Sequence, residues 1–179
     1  RKTFILNALM PIDQALWVLW AKKNQHTCYD DLFMPKDRIL DHRNEFAAAI
    51  PLITYQTNQQ QIQKLLDEHY YFLKIKIGKG AQWDSDRIER IYKMLSSVET
   101  PYTETKKPLL YLDANGMYHT KEDFCRFIDQ LDQKNILSHV ALIEEPYPET
   151  LKEEVWDIPV LIAGDESCHG KEEALERMA

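Results

Sequence analysis

Cysteine is scarce in this 179-residue chain: there are three, Cys28, Cys125 and Cys168, and no C-x-x-C pair. An odd number at wide spacing argues against a disulfide framework or a structural zinc site. It points to a reducing compartment, the cytoplasm. Basic charge is in deficit too. Lysine and arginine number 22 against 29 aspartate and glutamate, a net charge of −7. Nucleic acids and anionic membranes are bound by basic surface, so neither is expected as a partner. Small anionic substrates stay open, because a local cationic site can sit on an acidic protein. No apolar run approaches the roughly 20 residues that a membrane span needs, and no signal peptide is expected. No glycine-rich phosphate loop follows the first strand, which disfavours a nucleotide-binding doubly wound sheet.

What is present is an ordinary globular composition, 44% hydrophobic and 28% charged, long enough for one sizeable core. Residues Asn7 to Lys23 read as a helix. Leu9, Ile12, Leu16 and Leu19 recur at three- and four-residue steps, Pro11 falls in the first turn, and Trp17 and Trp20 are assigned to the core. Asn24 to Glu45 is polar and reads as a connection with short helical turns. From Pro51 onward strands alternate with helices. The strands are Pro51–Tyr55, Tyr71–Ile77, Leu109–Leu112, Val140–Ile143 and Val160–Ala163. The helices are Gln59–His69, Ser85–Ser97 and Thr120–Gln130, with a short helical connection over Leu151–Val155 and a last helix from near Gly170. Such alternation predicts a parallel sheet in an α/β fold. The steps from Lys76 to Asp113, Asp113 to Glu144 and Glu144 to Asp165 are 37, 31 and 21 residues, each fitting one unit of a (β/α) barrel. About five strands are present, so roughly three further units of an eight-unit barrel are expected beyond Ala179. Arg1 in place of methionine, and a last residue inside a helical pattern, likewise suggest a partial chain.

Four segments at strand ends carry the chemistry: Leu73-Lys74-Ile75-Lys76-Ile77-Gly78, Leu112-Asp113-Ala114-Asn115, Ile143-Glu144-Glu145-Pro146 and Gly164-Asp165-Glu166-Ser167. Three carboxylates on successive parallel strands repel one another unless one holds a proton or a cation joins them. Magnesium prefers such oxygen ligands. Lys74 and Lys76 are two apart on a strand and share one face. Repulsion between them can lower one amine so that it serves as a base. Glu145 and Glu166, each beside a proposed ligand, are expected to point away or to orient the site from behind, as is Asn115. Each element also has a plainer reading: a lone acid at a strand end is often solvated, and lysines often decorate an edge strand. Together they specify abstraction of an α-proton from a carboxylate substrate, with metal and lysine stabilising the enediolate. Two other readings are a non-catalytic barrel-derived domain and an open sheet with an acidic phosphotransfer site, which leaves the lysines unexplained.

These four segments, with the helix around Asn7-Ala8-Leu9-Met10-Pro11-Ile12-Asp13-Gln14-Ala15-Leu16-Trp17, resemble the enolase superfamily. Within it they look like the mandelate racemase and muconate lactonizing enzyme branch, in the muconate lactonizing and dipeptide epimerase-like subgroup. The resemblance implies a modified TIM barrel, (β/α)7β, with a separate capping domain. Residues 1–50 would then lead in from the cap, and residues 51–179 would form the first part of the barrel. It implies magnesium held by Asp113, Glu144 and Asp165, Lys76 as the base, and Lys74 as its electrostatic partner near the substrate carboxylate. It also implies a homo-oligomer acting as a racemase or epimerase, with dehydration or cycloisomerisation, as in o-succinylbenzoate synthases, as the runner-up. A second base and the substrate-reading residues would lie past Ala179. His119 and His169 read as exposed loop histidines, Cys168 as a packing residue, and Tyr118 and Tyr147 as half-buried. The Glu99–Lys107 loop looks long for its place.

Overall fold

The computed structural model describes residues 2–26 and 48–178. The chain divides into two compact units, Arg1–Ala47 and Ala48–Ala179. In the first, α1 runs over Lys2–Lys23. It starts five residues earlier than the periodicity predicts, so Pro11 is interior and not in the first turn. There it removes one backbone hydrogen bond. Trp17 and Trp20, expected in the core, are exposed. They meet edge to face at 5.8 Å, and Trp20 stacks on His26 at 4.8 Å. The expectation that no stretch reaches membrane-spanning length also needs correction. Among the described residues, Phe4–Lys23 is long and apolar enough by length and composition, with a mean hydropathy of 1.4. Isolated polar residues such as Asn7, Asp13 and Gln14 break the run but not the average, and core helices of soluble proteins pass the same test. The polar stretch Asn24–Glu45 falls mostly outside the described residues.

The second unit is built on five parallel strands in sequential order: β1 (Leu52–Ile53), β2 (Phe72–Lys76), β3 (Leu109–Asp113), β4 (Val140–Glu144) and β5 (Ile162–Ala163). Helices α2 (Gln59–Asp67), α3 (Ala81–Leu95) and α4 (Lys121–Gln133) make the crossovers, and α5 (Lys171–Met178) follows β5. This is the parallel α/β arrangement that the alternation predicts. Helix α2 is closed by a full capping box. Asn58 accepts from the Gln61 amide at 2.9 Å, and the Gln61 side chain accepts from the Asn58 amide at 2.9 Å. Thr120 caps α4 through the Asp123 amide at 3.2 Å. Helix α3 begins four residues before the predicted Ser85, because Asp84 stabilises its entrance.

Leu151–Val155 is not a helix. Exposure alternates with period two along it, so Leu151 and Val155, spaced four apart, pack from an extended segment. One turn alone is too short to nucleate. The Glu99–Lys107 loop closes on itself, with Thr100 buried and its amide donating to the Lys106 carbonyl at 3.0 Å.

The core lies between one face of the sheet and the helices. Ile53, Leu73, Ile75, Leu110, Leu112 and Ile143 meet Ile62, Leu66, Ile88, Ile91, Phe124, Phe127 and Leu131 there. Burying each aliphatic side chain contributes about 1.5–3 kcal/mol. The opposite face carries polar residues at the carboxyl ends of the strands, with Phe72 and Leu109 at their starts.

Candidate active site

Alternation along the strands selects what reaches the site. Strand β2 places Leu73 and Ile75 on the helix-covered face, and therefore Lys74 and Lys76 on the other. Register then aligns Lys74 with Tyr111, Lys76 with Asp113, and Asp113 with Glu144. The amines and acids thus lie side by side at the carboxyl ends of β2, β3 and β4. The Lys74 Nζ is 2.8 Å from Asp113 Oδ2 and 2.5 Å from Glu144 Oε2. The Lys76 Nζ is 2.7 Å from the same Asp113 oxygen and also donates to Asn115 Oδ1.

These contacts set the titration of the groups. Burial works to raise the Asp113 carboxyl, but the hydrogen bonds from Lys74 and Lys76 outweigh it and hold the group below its ordinary value. For Lys74 burial works downward, and the bonds to Asp113 and Glu144 reverse it, so the ammonium is held above its ordinary value. Lys74 is thus kept charged by two carboxylates within 3 Å, which suits an electrostatic partner and not a base. Tyr111, which the sequence reading passed over, donates to Glu144 Oε2 at 2.5 Å, and its ring stands 4.9 Å from the Lys74 Nζ. Burial and then the Glu144 carboxylate push its phenol up to about 12. The signal was in the sequence: Tyr111 lies two residues before Asp113 and so shares its face.

Asp165 lies two residues beyond Ala163, which is aligned with Glu144. Its carboxyl is raised by burial, then by the charges of Glu166 and Glu144. Two tests bear on a magnesium ion here. The first is the ammonium of Lys74, which already stands as a cation between Asp113 and Glu144. The second is the raised carboxyl of Asp165, a like-charge conflict that a further cation would relieve. The donors are oxygens, as magnesium requires. Among the described residues no group of three or more acids, histidines or cysteines is already gathered for a metal. Two of the three expected ligands meet at one cation position, and the third interacts with Glu144.

The three residues expected behind the ligands are all engaged. Asn115, at φ 45°, donates from Nδ2 to Glu166 Oε1 at 2.9 Å, so it joins Glu166 to Lys76. Glu145 lies just past the end of β4 and adopts φ 43°, a left-handed turn of the backbone and not strand geometry. A non-glycine residue in that region is held there by its surroundings. The side chain is buried. Its Oε2 accepts from the Asp165 amide at 2.6 Å, the Ser167 amide at 3.3 Å and the Ser167 hydroxyl at 3.0 Å. Glu145 thereby holds the backbone of Asp165. Gly116 passes too close to Pro148 for any side chain: an added Cβ would lie 2.9 Å from its Cα. Its amide donates to the Glu145 carbonyl at 2.6 Å.

His119 is exposed, as expected; His169, also expected to be exposed, is not, because its side chain is 7% exposed and meets Glu149 at 3.1 Å. Tyr118 and Tyr147 are fully buried and not half-buried. Their rings complete a cluster with Phe124, at 5.3 and 5.4 Å between centroids.

No protein-family model matches the chain, and no curated protein matches it by sequence. Solved structures do. The o-succinylbenzoate synthase of Thermosynechococcus elongatus BP-1, solved with magnesium in its active site, superposes with a TM-score of 0.55 at 22% identity. The muconate lactonizing enzyme of Klebsiella pneumoniae gives 0.57 at 16%. A mandelate racemase/muconate lactonizing enzyme of Roseiflexus sp. gives 0.56 at 23%. The likeness is one of fold: five parallel strands with flanking helices, arranged as in part of those proteins. The matches cover 75%, 73% and 73% of this chain but only 40%, 34% and 36% of those proteins. The match therefore spans less than half the length of each of these structures.

Proposed function

We propose that the intact protein is an enolase-superfamily enzyme that removes the α-proton of a carboxylate substrate, as a racemase or epimerase. The observation that carries this reading is the pairing of two lysines with Asp113 and Glu144 on one sheet face, at 2.5 to 2.8 Å. Few surface sites gather two amines and two acids so closely, and the arrangement suits a reaction that moves a proton beside a carboxylate.

Asp113, Glu144 and Asp165 would hold magnesium, which when bound supplies positive charge against the substrate carboxylate as electrons move toward it. Lys76 takes the α-proton. Its strand end is fixed, and Asp113 and Asn115 orient its amine. Lys74, kept charged by its carboxylate partners, stabilises the negative charge of the enediolate. Tyr111 fixes the Glu144 carboxylate through its hydroxyl, and Glu145 fixes the Asp165 backbone. Racemisation or epimerisation follows when a second acid–base group, on the face opposite Lys76 and outside these residues, returns a proton there; loss of a leaving group, protonated by a general acid, gives a dehydratase or cycloisomerase on the same scaffold. The o-succinylbenzoate synthase and muconate lactonizing enzyme among the similar structures keep that second reading in view.

The test is magnesium-dependent exchange of the α-proton of candidate carboxylates with deuterated solvent. Lys76→Ala is expected to lower that exchange by about 10²–10⁴-fold. Exchange as fast as in the parent protein would show that Lys76 is not the base.

A further inference from the structure

The residues that follow Lys76 are held by side chains which the proposed reaction does not use. Asp84, in the first turn of α3, is fully buried. One of its oxygens, Oδ2, accepts four hydrogen bonds: from the amides of Gly78, Lys79 and Gly80 at 2.8, 3.0 and 3.2 Å, and from the Tyr118 hydroxyl at 2.9 Å. Arg87, one turn on, is 7% exposed. Its guanidinium donates to the Lys76 carbonyl at 2.6 Å and to the Thr54 carbonyl at 2.5 Å, tying the ends of β1 and β2 together. Tyr55 donates from its hydroxyl to the Ile77 carbonyl at 2.6 Å. The Ile77 amide is taken by the Asp113 carbonyl at 2.8 Å.

Between the carbonyl of Lys76 and the amide of Gly80 six backbone groups thus have partners, and two of the side chains that supply them are buried ionisable groups. A buried carboxylate and a buried guanidinium are costly unless their bonds are made. A loop that needed only to turn would not require them. Gly78 and Gly80 provide the turn, at φ 118° and 110°, in the region open to glycine. The cluster is closed on its outer side by Tyr55 and Trp83. Arg87 stands 5.3 and 5.8 Å from the two ring centroids, and Lys79 stands 4.5 and 4.7 Å from them.

We propose that Asp84, Arg87 and Tyr55 are positioning residues for Lys76: they lock the end of β2 so that its amine projects beside Asp113 from a fixed origin. The inference rests on the reading of Lys76 as the base, but its physical content is the placement of one lysine. A lysine stem absorbs part of any shift in its backbone, so the loss on breaking the lock is moderate.

The test uses the intact protein and three variants, Asp84→Ala, Asp84→Asn and Tyr55→Phe. Asparagine keeps an oxygen that can accept from the loop amides; alanine does not. In Asp84→Ala the amides of residues 78–80 are expected to exchange with deuterium faster than in the parent, while those of β4 do not change. Its kcat for α-proton exchange should fall roughly tenfold, with KM and magnesium affinity little altered. Asp84→Asn should recover most of that loss. Independently of activity, lysines reductively methylated with ¹³C-formaldehyde should show a displaced or broadened Lys76 resonance in Asp84→Ala and in Tyr55→Phe, assigned by its absence in Lys76→Arg. An unchanged Lys76 resonance in both variants would overturn the proposal, whether or not the protein is active. A displaced resonance in a protein that exchanges no carboxylate would instead retain the lock and remove the assigned reaction. If Asp84→Ala does not fold, Tyr55→Phe carries the test, because it deletes one hydrogen bond from a partly exposed side chain. A parent-like resonance and kcat in that variant would also overturn the proposal.

Discussion

Leu73 and Ile75 alternate with Lys74 and Lys76 along the same five residues of β2, yet the two pairs do opposite work. The first pair is completely buried against the helices, among residues that need no partner other than hydrocarbon. Each lysine of the second pair keeps about a quarter of its side chain exposed, and each is matched to carboxylates. One face stabilises the domain by removing apolar surface from water. The other gathers charges whose mutual hydrogen bonds outweigh the cost of burying Asp113 and Lys74. The lesson is that stability and chemistry are divided between the two faces of one sheet, one residue apart. Changes on one face should leave the other's property largely intact.

The largest expected effect breaks the apolar face. Leu112→Ala removes a fully buried side chain and should destabilise the fold by about 2–5 kcal/mol, read from a denaturant midpoint. Lys76→Ala on the opposite face should change that midpoint little, because Asp113 stays paired with Lys74 at 2.8 Å. A midpoint lost equally in both variants would mean that the division between faces is false.

Dependence on pH sharpens the comparison next. Asp113 is held below its ordinary carboxyl value despite burial, chiefly by the bonds of Lys74 and Lys76. Its contribution is therefore present above about pH 4 and is lost as pH falls through the folded value. Lys74 is shifted upward by the same bonds, so its contribution is present below its ordinary amine value and disappears as pH rises through the folded one. Asp165 is displaced upward by burial and by its acidic neighbours. It favours the folded state only at acid pH, and that contribution vanishes as pH rises. Unfolding free energy measured against pH should thus lose part of its acid limb in Asp113→Asn. In Asp165→Asn it should increase near neutrality. Parallel curves for parent and variants would show that these carboxyls have no net role in stability.

The smallest expected effect is at Tyr111. Tyr111→Phe deletes the hydroxyl bond to Glu144 but keeps the ring beside Lys74. A change of about 1 kcal/mol in stability, with the circular dichroism of the sheet preserved, is expected.

Several site features were legible in the residues before any fold was seen. Lys74 and Lys76 share a face because strand alternation is a local rule. Asp113, Glu144 and Asp165 were recognisable as strand-end acids by their place after apolar runs. The alternation of strands with helices predicted a parallel sheet. Other features were not legible. The helix expected over Leu151–Val155 failed because spacing by four is also produced by an extended chain with every second residue inward. The tryptophans of α1 were assigned to a core on periodicity, which says which side is apolar but not whether anything covers it. Tyr111 carries no charge to mark it as a site residue, although the same alternation places it on the face of Asp113.

Local sequence is enough to set the alternation and the caps of α2 and α4, since each depends on residues a few positions apart. Tertiary structure alone decides that Lys74 meets both Asp113 and Glu144, that Glu145 bends back to hold Asp165, and that one oxygen of Asp84 gathers four donors. Those contacts join segments many residues apart, and their distances exist only once register and loop closure have brought the strand ends together.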